Sequence, residues 1–201
     1  MAEISTERLI MRGWRESDLA LWAAMNADPE VRRYVGPLLT PGQAEAWMLN
    51  FQDDLDRHGF GFWALEVRES GDFIGFTGLD IVEEEMPVTG VEIGWRLARS
   101  AWGHGYATEA ARAALEYGFG ILTLPEIAAI TMAANLRSQA VMERIGMTRD
   151  PAEDFDDPDV AEPSLRRHVV YRIRRAPEDK APTRTASTHT SSSTVRPTLA
   201  V

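Results

Sequence analysis

The chain has 201 residues, 44% of them hydrophobic, which suits one globular domain with a sizeable core and leaves no room for a second of full size. Its formal charge of -10 opposes binding to nucleic acid or an anionic membrane surface, because like charge repels phosphate, and favours cationic partners. Cysteine is absent, which excludes disulfides, thiolate metal sites and an acyl-cysteine intermediate.

No apolar run reaches the roughly 18 to 20 residues of a membrane span, and residues 1–13 have no apolar core of secretory type, so a cytoplasmic protein is expected. Residues 4–12 mix Ile4, Leu9, Ile10 and Met11 with charges and read as an opening strand. Ser17-Asp18 is an N-cap signal for a helix to about Asn26. Asp28-Pro29-Glu30 starts a short helical turn carrying Val31, Tyr34 and Val35. Thr40-Pro41-Gly42-Gln43 then opens a longer helix ending near His58, with Trp47, Leu49, Phe51 and Leu55 giving it apolar faces for packing on a sheet. From Phe60 the period changes towards two, and residues 60–67, 73–81 and 88–97 read as three consecutive antiparallel strands. Ser70-Gly71-Asp72 is a hairpin turn, whereas Glu83-Glu84-Glu85-Met86-Pro87 makes a longer, charged connection.

Four residues separate Leu97 from Trp102-Gly103-His104-Gly105-Tyr106-Ala107-Thr108, which opens directly into an Ala-rich helix. Two glycines let backbone approach a ligand closely, and the first amide groups of a helix lack internal partners, so they can converge on an anion such as a pyrophosphate. A Gly-rich helix start with no ligand is the alternative on these seven residues alone. The stretch lacks the Gly-x-Gly-x-x-Gly of a dinucleotide fold and the Gly-Lys-Ser/Thr of a nucleotide-hydrolysing loop, which disfavours hydride and phosphoryl transfer. Beyond it, Ala107, Ala110, Ala111, Ala114, Leu115 and Gly118 recur at helical spacing, with Glu109, Arg112 and Glu116 on another face. Residues 127–132 read as a buried strand, 136–145 as a helix stopped by Gly146, and 168–174 as a final strand. Between these last two lies an acidic, Pro-rich run from Asp150 to Glu162, of a kind that usually forms a solvated loop. From Ala176, Ser and Thr replace apolar periodicity, so the expected organisation is one domain over 1–175 and a disordered Ser/Thr/Pro-rich tail over 176–201.

The chain resembles the GNAT superfamily of acyl-coenzyme A-dependent N-acetyltransferases, especially its RimJ/RimL-like branch. The resemblance spans nearly all of residues 5–174 and rests on five elements in order: Thr6-Glu7-Arg8-Leu9; Asp28-Pro29-Glu30-Val31; Glu92-Ile93-Gly94-Trp95; Trp102-Gly103-His104-Gly105-Tyr106-Ala107-Thr108-Glu109-Ala110; and Asn135-Leu136-Arg137-Ser138 followed by Ile145-Gly146-Met147. It implies an α/β fold with a mixed, mostly antiparallel sheet, flanked by helices and splayed between its fourth and fifth strands, residues 91–97 being the fourth. Acetyl-coenzyme A would lie in the split, and no metal is implied. The implied cofactor-binding residues are Trp95, Leu97, Trp102, Gly103, His104, Gly105, Tyr106, Ala107, Thr108 and Asn135, with Asn135 equally a cap for the helix from Leu136.

The chemistry asks for an uncharged amine and a proton for the departing thiolate. Glu92, flanked by Val91, Ile93 and Trp95 beside the expected thioester, is the candidate base, acting through water; a solvent-facing strand Glu is the alternative. Many members of the superfamily place a thiolate-protonating Tyr seven positions beyond the helix-opening Asn, but here that position is Met142, and Ser138 is the hydroxyl the Rim-like branch offers instead. The acceptor implied is a primary amine, either a protein or peptide N-terminus or a cationic small amine, met by the acidic segment through Phe155, Asp154 and Asp156. Arg166, Arg167, Arg172, Arg174 and Arg175 read as a solvated strand edge rather than a nucleic-acid contact. Homodimers are common among resembling proteins. Two rival readings stand beside this one: a different donor such as succinyl-coenzyme A, which calls for a cationic group near the thioester, and a non-catalytic acyl-coenzyme A sensor, suggested by the missing Tyr.

Overall fold

The computed structural model describes residues 3–82 and 86–175. Along this span run β1 (Ile4–Ser5), β2 (Leu9–Arg12), α1 (Leu19–Asn26), α2 (Pro29–Arg32), α3 (Pro41–His58), β3 (Phe62–Val67), β4 (Phe73–Ile81) and β5 (Val91–Leu97). Then come α4 (Tyr106–Gly120), β6 (Glu126–Met132), α5 (Leu136–Arg144), β7 (Thr148–Arg149), β8 (Phe155–Asp156) and β9 (Arg167–Arg174). The described strands form one mixed sheet in the order β1-β2-β3-β4-β5-β6-β9-β7, with β8 also paired to β9. The expected tail from Ala176 and most of the Glu83-Glu84-Glu85 connection lie outside the described residues.

Local chemistry sets most of these boundaries. The Thr40 hydroxyl accepts from the Gln43 amide while the Gln43 side chain accepts from the Thr40 amide, a reciprocal cap that opens α3, and Gly59 closes it in the left-handed region at φ 75. Asp28 likewise accepts from the Glu30 amide to start α2. Two expectations are corrected. The opening strand is a hairpin, β1 and β2, because Thr6 turns the chain by exchanging backbone and hydroxyl hydrogen bonds with Leu9. Nor does Asp18 cap α1: both its oxygens accept from the buried Arg12 guanidinium, at 2.7 and 2.9 Å, and one also accepts from the Arg15 amide.

Two layers of helix cover the sheet. Gly118 of α4 comes so close to Leu79 and Ile127 that an added methyl would sit 2.7 Å from Ile127, which is how an Ala-rich helix reaches the face carrying Leu79 and its register partner Ile93. On the opposite face, Phe76 packs with Trp22 of α1 and Phe51 of α3 in an aromatic cluster that also includes Trp14, Phe62 and Phe73. Centrally, β5 and β6 run parallel and are bridged at one register position, Glu92 to Ala128. Beyond it the two strands diverge, so the rest of that edge of β5 has no strand partner among the described residues. This is the expected split, displaced by one in strand count because the opening strand is a hairpin.

The N-terminus of α4 is tied to the hairpin. The Glu109 carboxylate accepts from Thr6 Oγ1 at 2.6 Å, from the Arg8 amide at 2.8 Å and from Arg8 Nε at 2.7 Å, while Arg8 Nη1 donates to the His104 carbonyl at 2.9 Å. Burial pushes this carboxyl up, but the bonds from Thr6 and Arg8 and the charge of Arg8 outweigh it and hold it below its ordinary value.

Two outcomes are expected. Asp18→Ala leaves Arg12 buried without its bidentate partner and lowers stability by about 3 to 5 kcal/mol, read from the urea midpoint. Because the Glu109 pKa is depressed on folding, its contribution is complete above the unfolded value and lost as pH falls through the lower folded value. Glu109→Gln therefore flattens the loss of stability on the acid side of pH 4.5, and acid titrations of Tm that superimpose for the two proteins would contradict it.

Candidate active site

Where β5 and β6 part, a cleft of about 1570 Å³ opens toward the C-terminal ends of both strands. One wall is Trp95, Arg96 and Leu97 of β5; the other is Asn135, Ser138 and Val141 at the start of α5; the stretch 101–109 closes one end. Six arginines, Arg8, Arg33, Arg96, Arg112, Arg137 and Arg144, line it against four glutamates, Glu7, Glu30, Glu109 and Glu116. In a chain of formal charge -10 this is a local reversal of sign, suited to a polyanion.

Gly103 and Gly105 both lie in the left-handed region at φ 81, which turns the chain sharply into α4. A methyl added at Gly103 would meet nothing within 4 Å, so the loop presents open backbone to the cleft. The first hydrogen bond of the helix is from the Glu109 amide to the Gly105 carbonyl, at 3.1 Å, which leaves the amides of Tyr106, Ala107 and Thr108 without intrahelical acceptors. The Arg8 clamp meanwhile removes the Glu109 charge from competition with an incoming anion. Of the sequence-derived cofactor residues, Trp95, Leu97, Trp102, Gly103, Gly105, Tyr106, Ala107, Thr108 and Asn135 all line the cleft. His104 does not: its exposed ring stacks on Tyr106 at 5.5 Å, and its carbonyl accepts from Arg8.

On the far wall the Asn135 side chain accepts from the Ser138 amide at 3.3 Å and donates to Thr131 Oγ1 at 3.0 Å, so capping and lining the cleft are compatible. Ser138 is 4% exposed, and its wholly buried hydroxyl has no hydrogen-bond partner among the described residues. An orphaned hydroxyl in a cleft wall asks for a ligand atom. Met142, where a tyrosine was sought, is fully buried packing. Tyr171 offers no substitute, since its hydroxyl sits 3.3 Å from Glu143 and burial and that carboxylate push the phenol up.

Glu92 is 8% exposed and points to the other face of β5 from Ile93 and Trp95, opposite Asp80 in register. That face continues into a small apolar cluster of Val82, Val88, Ala128, Ile130 and Val170, against which Phe155 packs while stacking on His168 at 5.3 Å. Phe155 and Glu92 thus share a face across the β5–β6 junction. The charges of the acidic segment are largely committed within the fold. Asp154 is an enclosed partner of Arg149 and Arg167, and the hydrogen bond from Arg149 holds its carboxyl below the ordinary range. Asp156, 67% exposed, lies 3.3 Å from Arg167. The expected solvated strand edge is corrected: β9 lies between β6 and β7, and Arg172, 21% exposed, pairs with both Glu126 and Glu153, while the exposed Arg174 pairs with Glu126. Among the described residues no group of three or more His, Cys, Asp or Glu is arranged to hold a metal, and no helix is long and apolar enough to cross a membrane.

Three residues lining the cleft escape sequence reasoning. Arg8 and Arg137 stand inside quoted motifs, yet only folding brings Arg8 against the glycine loop and Arg137 over the Trp102 ring at 4.5 Å. Arg96 looks like one more charge in a strand, and nothing in its neighbours signals its burial.

With this geometry in place, comparison with known proteins is informative. The model of the acetyltransferase (GNAT) domain family matches residues 8–148. The uncharacterized protein YkkB of Bacillus subtilis is 34% identical over 146 residues, 72% of this chain and 84% of its own. FsC-acetyl coenzyme A-N(2)-transacetylase of Aspergillus fumigatus is 34% identical over 134 residues, 62% of this chain and 55% of its own. Among solved structures, an acetyltransferase from Agrobacterium tumefaciens superposes with a TM-score of 0.72 at 28% identity, covering 87% of this chain and 95% of its own. Because the family match takes in well over half of the residues, the chain belongs to the GNAT acetyltransferases and is an acyl-coenzyme A-dependent N-acetyltransferase.

Proposed function

We propose that the protein transfers the acetyl group of acetyl-coenzyme A directly to a primary amine, a protein or peptide N-terminus or a small cationic amine, in the manner of the RimJ/RimL-like branch. The observation that carries this reading is the buried, partnerless hydroxyl of Ser138 in the wall facing β5. A thioester lying in the wedge supplies an activated acyl carbon and a sulfur leaving group. The residues present suit such a group. Main-chain amides at 103–108 would hold a pyrophosphate, with Thr108 beside them, Arg8 and Arg137 would add positive charge, and Trp95 and Leu97 would wall the arm. The unpaired edge of β5 offers backbone hydrogen bonds, as an added strand would require.

In this scheme Ser138 hydrogen-bonds the sulfur as it leaves, orienting a proton delivered from water, with Asn135 fixing the turn that carries it. Glu92 takes the amine proton through a water molecule. Its burial beside an apolar cluster suits a base that works on an acceptor held against Phe155. Asp156 at the rim favours approach of a positively charged amine. Asp154, engaged by two arginines, shapes the loop rather than drawing the acceptor in.

Thiol release with acetyl-coenzyme A and a panel of amines, starting from short peptides of varied N-terminus, tests the reading. Donor-dependent release is expected; cofactor binding without turnover across the panel would favour a sensor. Ser138→Ala is expected to lower kcat about tenfold to a hundredfold with little change in cofactor affinity, and Glu92→Gln to lower it further and abolish the rise of rate with pH. A Glu92→Gln enzyme with full activity at every pH would remove Glu92 from the mechanism.

A further inference from the structure

Three arginines are nearly sealed from solvent: Arg32 at 3%, Arg12 at 4% and Arg96 at 5% exposed. Arg12 is neutralised by Asp18 and Glu66, each at 2.7 Å. The other two are not. Arg96 Nη1 donates to Asn26 Oδ1 at 3.2 Å, and Arg32 Nη1 reaches the same oxygen at 3.4 Å while its Nε donates to the Pro37 carbonyl. Among the described residues no carboxylate lies within ion-pair distance of either guanidinium. The nearby acids are committed elsewhere, Glu30 to Arg33 and Asp28 to Arg99. Arg96 Nε is buried with no partner among the described residues, and Arg96 lines the cleft. Its guanidinium is surrounded by the rings of Trp22, Trp47 and Phe76 at 5.3 to 5.9 Å, which hold a cation but do not neutralise it.

Two like charges sharing one neutral acceptor in an aromatic recess are costly to bury, and burial lowers both: Arg32 to about 10, and Arg96 well below its ordinary value with the Arg32 charge adding to the effect. The same fold fully pairs Arg12, so the deficit at Arg96 is local to the cleft. A small planar anion offering two oxygens to a guanidinium fork would complete it. Arg96 lies on the face of β5 that also carries Glu92, the acceptor side, away from the glycine loop where the cofactor phosphates are placed.

We propose that Arg96, backed by Arg32, binds a carboxylate of the amine acceptor, so that the enzyme acts on amines that also carry a carboxylate group. This rests on the acetyltransferase reading above and narrows its acceptor from amines in general to amino-acid-like or carboxylate-bearing ones. The acetyl transfer itself is unchanged: the amine nitrogen bonds to the acyl carbon, the carbon–sulfur bond breaks, and the amine proton leaves through Glu92.

Two measurements test it. Thermal unfolding is followed in sodium glutamate and sodium succinate against sodium chloride of equal ionic strength. The carboxylates are expected to raise Tm of the wild type and not of Arg96→Gln or Arg32→Gln. In chloride both variants should unfold no earlier than the wild type, because an unpaired buried charge has been removed. A response equal to that in chloride, or one that survives both substitutions, overturns the site. Kinetics with acetyl-coenzyme A then compare each amino acid with its methyl ester. The wild type should favour the acid by at least about tenfold in kcat/KM, and in Arg96→Gln the ratio should collapse toward one. Selection instead for succinyl- over acetyl-coenzyme A, lost in Arg96→Gln, would place the carboxylate on the donor and overturn the acceptor assignment. If no amine elicits thiol release, the acetyltransferase reading falls while the unfolding measurement still judges the anion site.

Discussion

The structure depends on a single hydrogen-bonded junction. At Glu92 and Ala128 two parallel strands touch, and beyond that point they separate. A sheet interior normally satisfies every backbone amide and carbonyl along its strands, since leaving one buried and unpaired costs as much as a lost hydrogen bond. Here the unpaired edge is left at the mouth of a cleft lined by cationic side chains. The fold therefore keeps its incomplete ladder where a ligand can complete it, and helices α4 and α5 are placed to wall the gap rather than fill it. The small residues of α4 belong to the same arrangement: they let the helix sit near the sheet, so that its first turn lies at the end of the wedge.

Around that gap the protein separates two kinds of electrostatic work. On the glycine-loop side, charges are mutually satisfied before any ligand arrives. Arg8 and Glu109 hold one another, and Thr6 joins them, which fixes the turn at 103–105 without leaving a free carboxylate beside the helix start. On the α1 and α2 side, Arg96 and Arg32 share Asn26 and have no acid within ion-pair distance among the described residues. The first arrangement preorganises a backbone cradle; the second leaves a charge imbalance that the fold tolerates only because aromatic rings and a carbonyl partly solvate it.

Sequence reasoning reached what local chemistry controls. The cap at Thr40 and Gln43, the cap at Asn135, the glycine turn and the spans of β3, β4 and β5 are written in neighbouring residues. It failed where a distant partner outbids a local one. Asp18 has the look of an N-cap, but a buried guanidinium offers it stronger hydrogen bonds than a helix amide does, so the side chain turns inward. Leu49, assigned to an apolar helix face, is 59% exposed, because the aromatic cluster is centred on Phe51. Nor does spacing along the chain show that residues 26, 32 and 96 converge on one oxygen atom. His104, exposed as its place between two glycines suggests, lies between left-handed turns at Gly103 and Gly105 with its ring stacked on Tyr106.

Trp102 joins three stretches that are remote in sequence. Its indole N–H donates to the Leu97 carbonyl at the end of β5, its ring carries the Arg137 guanidinium from α5, and its backbone leads into the glycine turn. A cation held over an indole contributes roughly 0.5 to 2 kcal/mol, enough to tie the rim of the wedge across its opening. Exchanging the indole for a smaller ring without an N–H would therefore remove two fastenings at once, the seat of the guanidinium and the donor to the end of β5.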